Sequence, residues 1–175
     1  MKNIGNFVDG KLSQAQSSNY ISLFKPTTGE EYAHVPITTN NEFQKIIEKM
    51  KVAQSLWAET PITKRSNILF KYKSLIEKNF DEIAKIISEE HGKVFSDAKG
   101  SLQRGLEVVD FACGIPHLLK GNHSINVGTN VDSYDIRQPL GICAGITPFN
   151  FPAMVPMWMF PLSIACGNAF MLKPS

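Results

Sequence analysis

Short alternating runs open the chain and give way to longer stripes of period three to four. FVDGKL places Asp9 and Gly10 between apolar residues, and a two-residue type I′ turn needs positive φ at both centres, so this stretch predicts a hairpin. YISLF and EYAHV, separated by KPTTGE, predict a second strand pair. Thr39 and Glu42 have the spacing of a capping box. Phe43, Ile46, Ile47, Met50, Ala53 and Trp57 follow at intervals of three and four, which predicts an amphipathic helix over 40–58. Thr60 and Pro61 offer an N-cap and a first helical residue for a second helix running through Leu69, Phe70 and Ile76 toward Asn79. Phe80, Ile83 and Ile87 predict a third, stopped at Gly92. Ser96 opens a fourth that carries Leu102, Leu106, Val109 and Cys113 on one stripe and ends near Gly114 to Pro116.

The pattern changes again at His123. HSINV and NVDSYDIRQ are polar, β-prone runs broken by Gly128 and Asn130, which suits an exposed or intersubunit strand pair. Between Arg137 and Lys173 no side chain is charged, yet Pro152, Pro156, Pro161, Gly167 and Asn168 cut the apolar run into pieces too short for a membrane span. The better division is a buried strand GICAGIT, a stiff turn PFNFP, a broken helix from about Ala153 to Cys166, a Gly-Asn cap and a second buried strand AFMLK. Parallel strands covered on both faces read as continuous apolar runs, so this is a βαβ unit and the fold class is α/β.

Composition narrows the partners. The 175 residues carry a net charge of +2 with basic residues in no block longer than a pair, which leaves no nucleic-acid or membrane-surface footprint and favours a small-molecule ligand. The N-terminus lacks the apolar core of a secretory signal and the Arg/Ser content of a transit peptide, so the expected location is cytoplasmic. Cys113, Cys143 and Cys166 are odd in number and widely spaced, as reduced thiols would be. His34, His91, His117 and His123 show no ligand spacing, and no metal is expected.

Three polar residues stand out. Pro148 and Pro152 restrict the backbone around Asn150, whose carboxamide could donate to an oxygen that becomes anionic in a reaction or could cap the following helix. Lys173 ends the second strand, either solvated or pointing into the crevice where doubly wound sheets bind ligands; no G-x-G-x-x-G marks that crevice. Arg104 aligns with Val108 and Phe111 on its helix, which predicts half burial. Its guanidinium could pair with Glu107 on a solvated face or hold a planar carboxylate.

The segment RQPLGICAGITPFNFPAMVPMWMFPLSIACGNAFMLKPS resembles the aldehyde dehydrogenase superfamily at its P-x-N-F-P turn and its GN…KPS strand. RGLEVVDFACG and the PTTGE turn extend the likeness over the chain, and the final segment is most similar to the methylmalonate-semialdehyde dehydrogenase branch. The resemblance implies the N-terminal part of the aldehyde dehydrogenase fold, with hairpins and helices leading into the first βαβ of a Rossmann-like coenzyme domain. It divides the chain into hairpins and helices of the coenzyme domain over 1–120, oligomerisation strands over 121–138 and an incomplete NAD-binding βαβ over 139–175, with the catalytic domain absent.

The same resemblance implies site roles. Asn150 would donate to the oxyanion formed when a cysteine thiolate attacks the aldehyde; Ile146, Thr147, Pro148, Phe149 and Lys173 would line NAD; Arg104 would hold the substrate carboxylate. Coenzyme A would accept the acyl group as carbon dioxide leaves, yielding propionyl-CoA or acetyl-CoA, in a homo-oligomeric enzyme. None of the three cysteines stands in the Gly-Gln-x-Cys context of the family's nucleophile, so the chain alone is expected to be inactive. The competing expectation is a truncated nucleotide-binding or assembly module.

Overall fold

The computed structural model describes residues 2–13 and 17–175. Five strands come first: β1 (Lys2–Asn3), β2 (Asn6–Val8), β3 (Lys11–Ser13), β4 (Tyr20–Phe24) and β5 (Glu31–Pro36). β2 and β3 pair antiparallel around Asp9 and Gly10, whose φ values of 55° and 71° are those of the expected turn. β4 pairs antiparallel with β5, and β1 adds to β5 in parallel.

Four helices follow: α1 (Asn40–Ala58), α2 (Ile62–Lys78), α3 (Phe80–His91) and α4 (Phe95–Cys113). α1 starts at the reciprocal Thr39–Glu42 capping box. Its apolar stripe contains no fully buried residue: Phe43 is 41% exposed, while Ile46, Ile47, Met50 and Trp57 are half-buried. Polar ties also hold α1, the Trp57 indole N–H donating to the Ile164 carbonyl at 2.7 Å and the Gln54 amide to the Gly167 carbonyl at 3.3 Å. α2 corrects one expectation. Pro61 itself is the N-cap and no side chain caps the helix, because the Thr60 hydroxyl turns back to the Leu56 carbonyl of α1. α3 stops at Gly92 with φ of 82°, as its sequence predicts. α4 begins one residue before Ser96, after an extended Val94 that offers no capping side chain.

The core lies between these helices and α6 (Met154–Ala165), which follows a short α5 (Ile115–Leu118). Ile76, Ala84, Ile87, Leu102, Leu106, Val109 and Met157 form one cluster, and Leu69, Ala112, Cys113, Ile115 and Ala165 a second. Each large aliphatic side chain here contributes about 1.5–3 kcal/mol by leaving water. α4 and α6 touch at Gly105, where an added Cβ would stand 3.2 Å from the Met154 Cα and 3.1 Å from the Met157 Sδ.

β6 (His123–Gly128) and β7 (Val131–Tyr134) form an antiparallel hairpin whose every residue is exposed. β8 (Ile142–Ile146) and β9 (Ala169–Lys173) are parallel and joined through α6, which is the expected βαβ. Burial on both faces is not what the two strands show. α6 covers one face, where an added Cβ on Gly145 would meet the Met159 Sδ at 2.7 Å, while Ala144 and Ile146 on the other are exposed. A continuous apolar run reports what a strand can bury, not how many layers cover it. Pro161 lies inside α6, and among the described residues no helix is long and apolar enough to cross a membrane.

Candidate functional site

β8 ends at Ile146, and the chain then turns through Thr147–Ala153 before α6. The Thr147 N–H extends the parallel ladder by donating to the Lys173 carbonyl at 3.1 Å, so Thr147 is 5% exposed and fixed. Beyond it the turn stands out from the surface: Phe149 is 74% exposed and Asn150 is exposed as well. The capping role open to Asn150 is not taken. Ala153 is the N-cap of α6, which has no side-chain cap. Nor is the carboxamide held by the protein, since the one hydrogen bond at Asn150 among the described residues runs to its main-chain carbonyl, from the Lys93 Nζ at 2.9 Å.

Asn150 and Phe151 form one wall of an open cavity of about 540 Å³. The facing wall is the N-terminal half of α4, with Ser96, Asp97, Gly100, Ser101 and Arg104, and His91 and Lys93 complete the rim. Arg104 therefore shares a cavity with Asn150. Its expected half burial is wrong: Arg104 is exposed, because Phe111 on the same face is itself 57% exposed and the packed stripe of α4 runs instead through Leu102, Gly105, Leu106 and Val109. The alternative pair with Glu107 does not form either. Among the described residues no carboxylate lies within ion-pair distance of Arg104, which leaves its planar donor fork open to the cavity.

The residues expected to line a coenzyme form a different surface. Ile146 and Lys173 are register partners of a parallel pair and so project to the same face, the one α6 leaves bare. Ile146 is 77% exposed, and Pro148 and Lys173 are exposed beside it. Apolar surface with one cation at the carboxyl ends of two parallel strands fits a dinucleotide. None of these residues lines the Asn150 cavity, so the turn presents two separate surfaces.

No cysteine lines that cavity. Cys113 is 2% exposed at the end of α4, and burial pushes its thiol up, with Asp110 adding to the rise. Burial likewise raises Cys166, opposed by the nearby Arg65 guanidinium. Among the described residues no three His, Cys, Asp or Glu side chains gather as a metal group. Lys93, which the sequence did not single out, lines the cavity and reaches the Asn150 carbonyl. Its only local signal is its place after the helix-ending Gly92.

Comparison with known proteins bears on this geometry. The sequence model of the Aldehyde dehydrogenase family matches residues 13–175. The chain belongs to the aldehyde dehydrogenase family. It is 48% identical over 172 residues to the mitochondrial acylating methylmalonate-semialdehyde dehydrogenase of Arabidopsis thaliana, covering 98% of this chain and 28% of that protein. It is 47% identical over 175 residues to the malonate-semialdehyde dehydrogenase of Pseudomonas aeruginosa, covering all of this chain and 35% of the relative. A Sinorhizobium meliloti protein assigned as a methylmalonate-semialdehyde dehydrogenase and crystallised with NAD superposes with a TM-score of 0.96 at 47% identity, over 100% of this chain and 36% of that one. The chain thus spans about a third of the length of these relatives and has the N-terminal portion of the aldehyde dehydrogenase fold.

Proposed function

We propose that the chain is the N-terminal portion of an NAD-dependent, CoA-acylating methylmalonate- or malonate-semialdehyde dehydrogenase. The observation that carries the reading is the cavity shared by an unpaired Arg104 and an exposed Asn150. A semialdehyde acid has a carboxylate at one end and a reacting carbonyl at the other. Arg104 offers a planar, always-charged fork to the first. Asn150 offers neutral N–H donors to the second, where charge develops when a thiolate from the remainder of the enzyme adds to the aldehyde. Placing both on one cavity orients the aldehyde carbon as well as binding it.

Ile146, Pro148 and Phe149 would hold NAD through apolar contact and Lys173 through its ammonium, while the buried Thr147 would fix the strand end beneath it. When bound, NAD supplies the oxidant for the aldehyde carbon. Coenzyme A is the proposed acyl acceptor, and no residue of this chain is assigned to it. The exposed β6–β7 hairpin, within residues 121–138, would pair with another copy in a homo-oligomer.

The test is NADH formation by the complete enzyme with coenzyme A and three aldehydes: malonate semialdehyde, its methyl homologue and propanal. Arg104→Ala is expected to impair both semialdehydes far more than propanal, which has no carboxylate. Equal losses on all three would return Arg104 to the solvent-facing surface of α4.

A further inference from the structure

Asn150 stands on an exposed turn with no hydrogen bond to its carboxamide, yet an oxyanion donor works only if its direction is set before the charge develops. Lys93 supplies what the turn lacks. Its Nζ donates to the Asn150 carbonyl at 2.9 Å and lies 4.4 Å from the centroid of the Phe151 ring. One cation therefore grips the peptide on the carboxyl side of Asn150 by its oxygen and the next residue by its aromatic face. The first contact restrains ψ of Asn150, and with it the direction of the Cα–Cβ bond from which the carboxamide extends. The second is a cation–π contact, which strengthens where water is excluded.

The base of the lysine is equally constrained. Gly92 ends α3 in the left-handed region and Val94 is the N-cap of α4, so Lys93 is the single residue between two helix boundaries. Its own carbonyl accepts the Ser88 hydroxyl at 2.6 Å. A side chain rooted there ties the α3–α4 junction to a turn 57 residues away in sequence. Arg104 belongs to the α4 that this junction starts, and it shares the cavity rim with Lys93.

We infer that Lys93 is the positioning residue of the Asn150 turn, holding the carboxamide in its working direction through the Asn150 carbonyl and the Phe151 ring. The assignment rests on the reading of Asn150 as the oxyanion donor. Lys93 acts through Asn150 and does not touch the reacting atoms.

The experiment is a double-mutant cycle in the complete enzyme, with kcat, KM and thermal stability measured for Lys93→Met, Lys93→Arg, Asn150→Ala and the Lys93→Met/Asn150→Ala pair. Lys93→Met keeps the aliphatic stem and loses both contacts; it is expected to lower kcat about ten- to a hundred-fold, the scale of a misplaced catalytic group, with the KM for NAD within about twofold. Lys93→Arg retains a cation that can stack and donate, and should recover most of the loss. In the Asn150→Ala background the carbonyl is still present but the carboxamide is gone, so Lys93→Met should cost less than about twofold more. An equal loss in both backgrounds, or a Lys93→Met variant with normal kcat, overturns the positioning role. If Asn150→Ala alone leaves turnover intact, the oxyanion reading fails first, and the two failures are told apart by that single variant.

Discussion

Removal of the Asn168 carboxamide tests how the βαβ unit is held at the end away from the cavity. Asn168 is 4% exposed and its side chain makes two bonds, accepting the Gly141 N–H at 2.9 Å and donating to the Ser163 carbonyl at 3.1 Å. It thereby joins the residue before β8 to the last turn of α6 at the point where β9 begins. Gly141 has φ of 115°, so its N–H direction depends on a conformation that other residues rarely adopt. In Asn168→Ala the Ser163 carbonyl still accepts the Asn168 main-chain N–H at 3.2 Å, whereas the Gly141 N–H loses its acceptor. One net hydrogen bond of about 1 kcal/mol and a partly desolvated orphan donor of similar size give about 2 kcal/mol.

That loss corresponds to a fall in Tm of about 4–8 °C for a chain of this size. Urea unfolding followed by circular dichroism and tryptophan fluorescence measures it. A change under about 0.5 kcal/mol with an unchanged m-value would refute the reasoning, because water would then be replacing the carboxamide at no cost. Asn168→Asp separates acceptor from donor. The carboxylate can still accept from Gly141 but faces the Ser163 carbonyl, and burial raises its folded pKa above the unfolded one. Its stability is then fullest at low pH and falls as pH rises through the folded pKa, so the aspartate variant should be weaker than alanine at neutral pH and recover in acid.

Asn150→Ala is expected to slow the complete enzyme about a hundred- to a thousand-fold while NAD binding stays near normal, and Asn150→Asp should be slower because it sets a negative charge against the oxyanion; a loss below about threefold in steady-state turnover refutes the donor role. Gly167→Ala should destabilise by about 3 kcal/mol in urea unfolding, since Gly167 has φ of 94° and an added Cβ would collide with the buried Arg65 guanidinium. Asp135 accepts the Asn122 N–H at 2.7 Å, and this holds its carboxyl below the usual range. Its folded pKa is depressed, so the tie at the base of the β6–β7 hairpin is present above the unfolded pKa and lost as pH falls through the folded one; amide exchange at Asn122 should accelerate there, and Asp135→Asn should abolish that pH dependence.

Legibility in the sequence followed the range of the interactions. The Thr39–Glu42 box, the Asp9-Gly10 turn and the Gly92 stop each use residues within four positions, and each is where the pattern predicts it. Thr60 failed because a hydroxyl can cap forward or bond backward with the same residue type, and here it bonds to Leu56. Arg104 was misjudged from Phe111, since an aromatic residue on a helix face is evidence of burial only when another element covers that face. The pairing of Arg104 with Asn150 was legible only through family resemblance. Lys93 was not legible at all, because its partners lie far along the chain and a lysine after a helix-ending glycine is ordinary.

The contact at Gly105 sets a gauge. Arg104 precedes it on α4, and the Asn150 turn leads into α6, which meets Gly105 through Met154 and Met157. The span between guanidinium and carboxamide is therefore set by the closeness of two helices together with the turn, tied by Lys93, that carries Asn150. An unbranched four-carbon acid aldehyde exceeds the three-carbon one by about 1.3 Å in that span, a step comparable to the bond lengths that set any extended chain, whereas a methyl branch beside the carboxylate leaves the span unchanged. On the proposed function, the length of acid aldehyde accepted becomes a property of interior packing, and a bulkier residue at position 105 would retune it from behind the cavity wall without altering any group that meets the substrate.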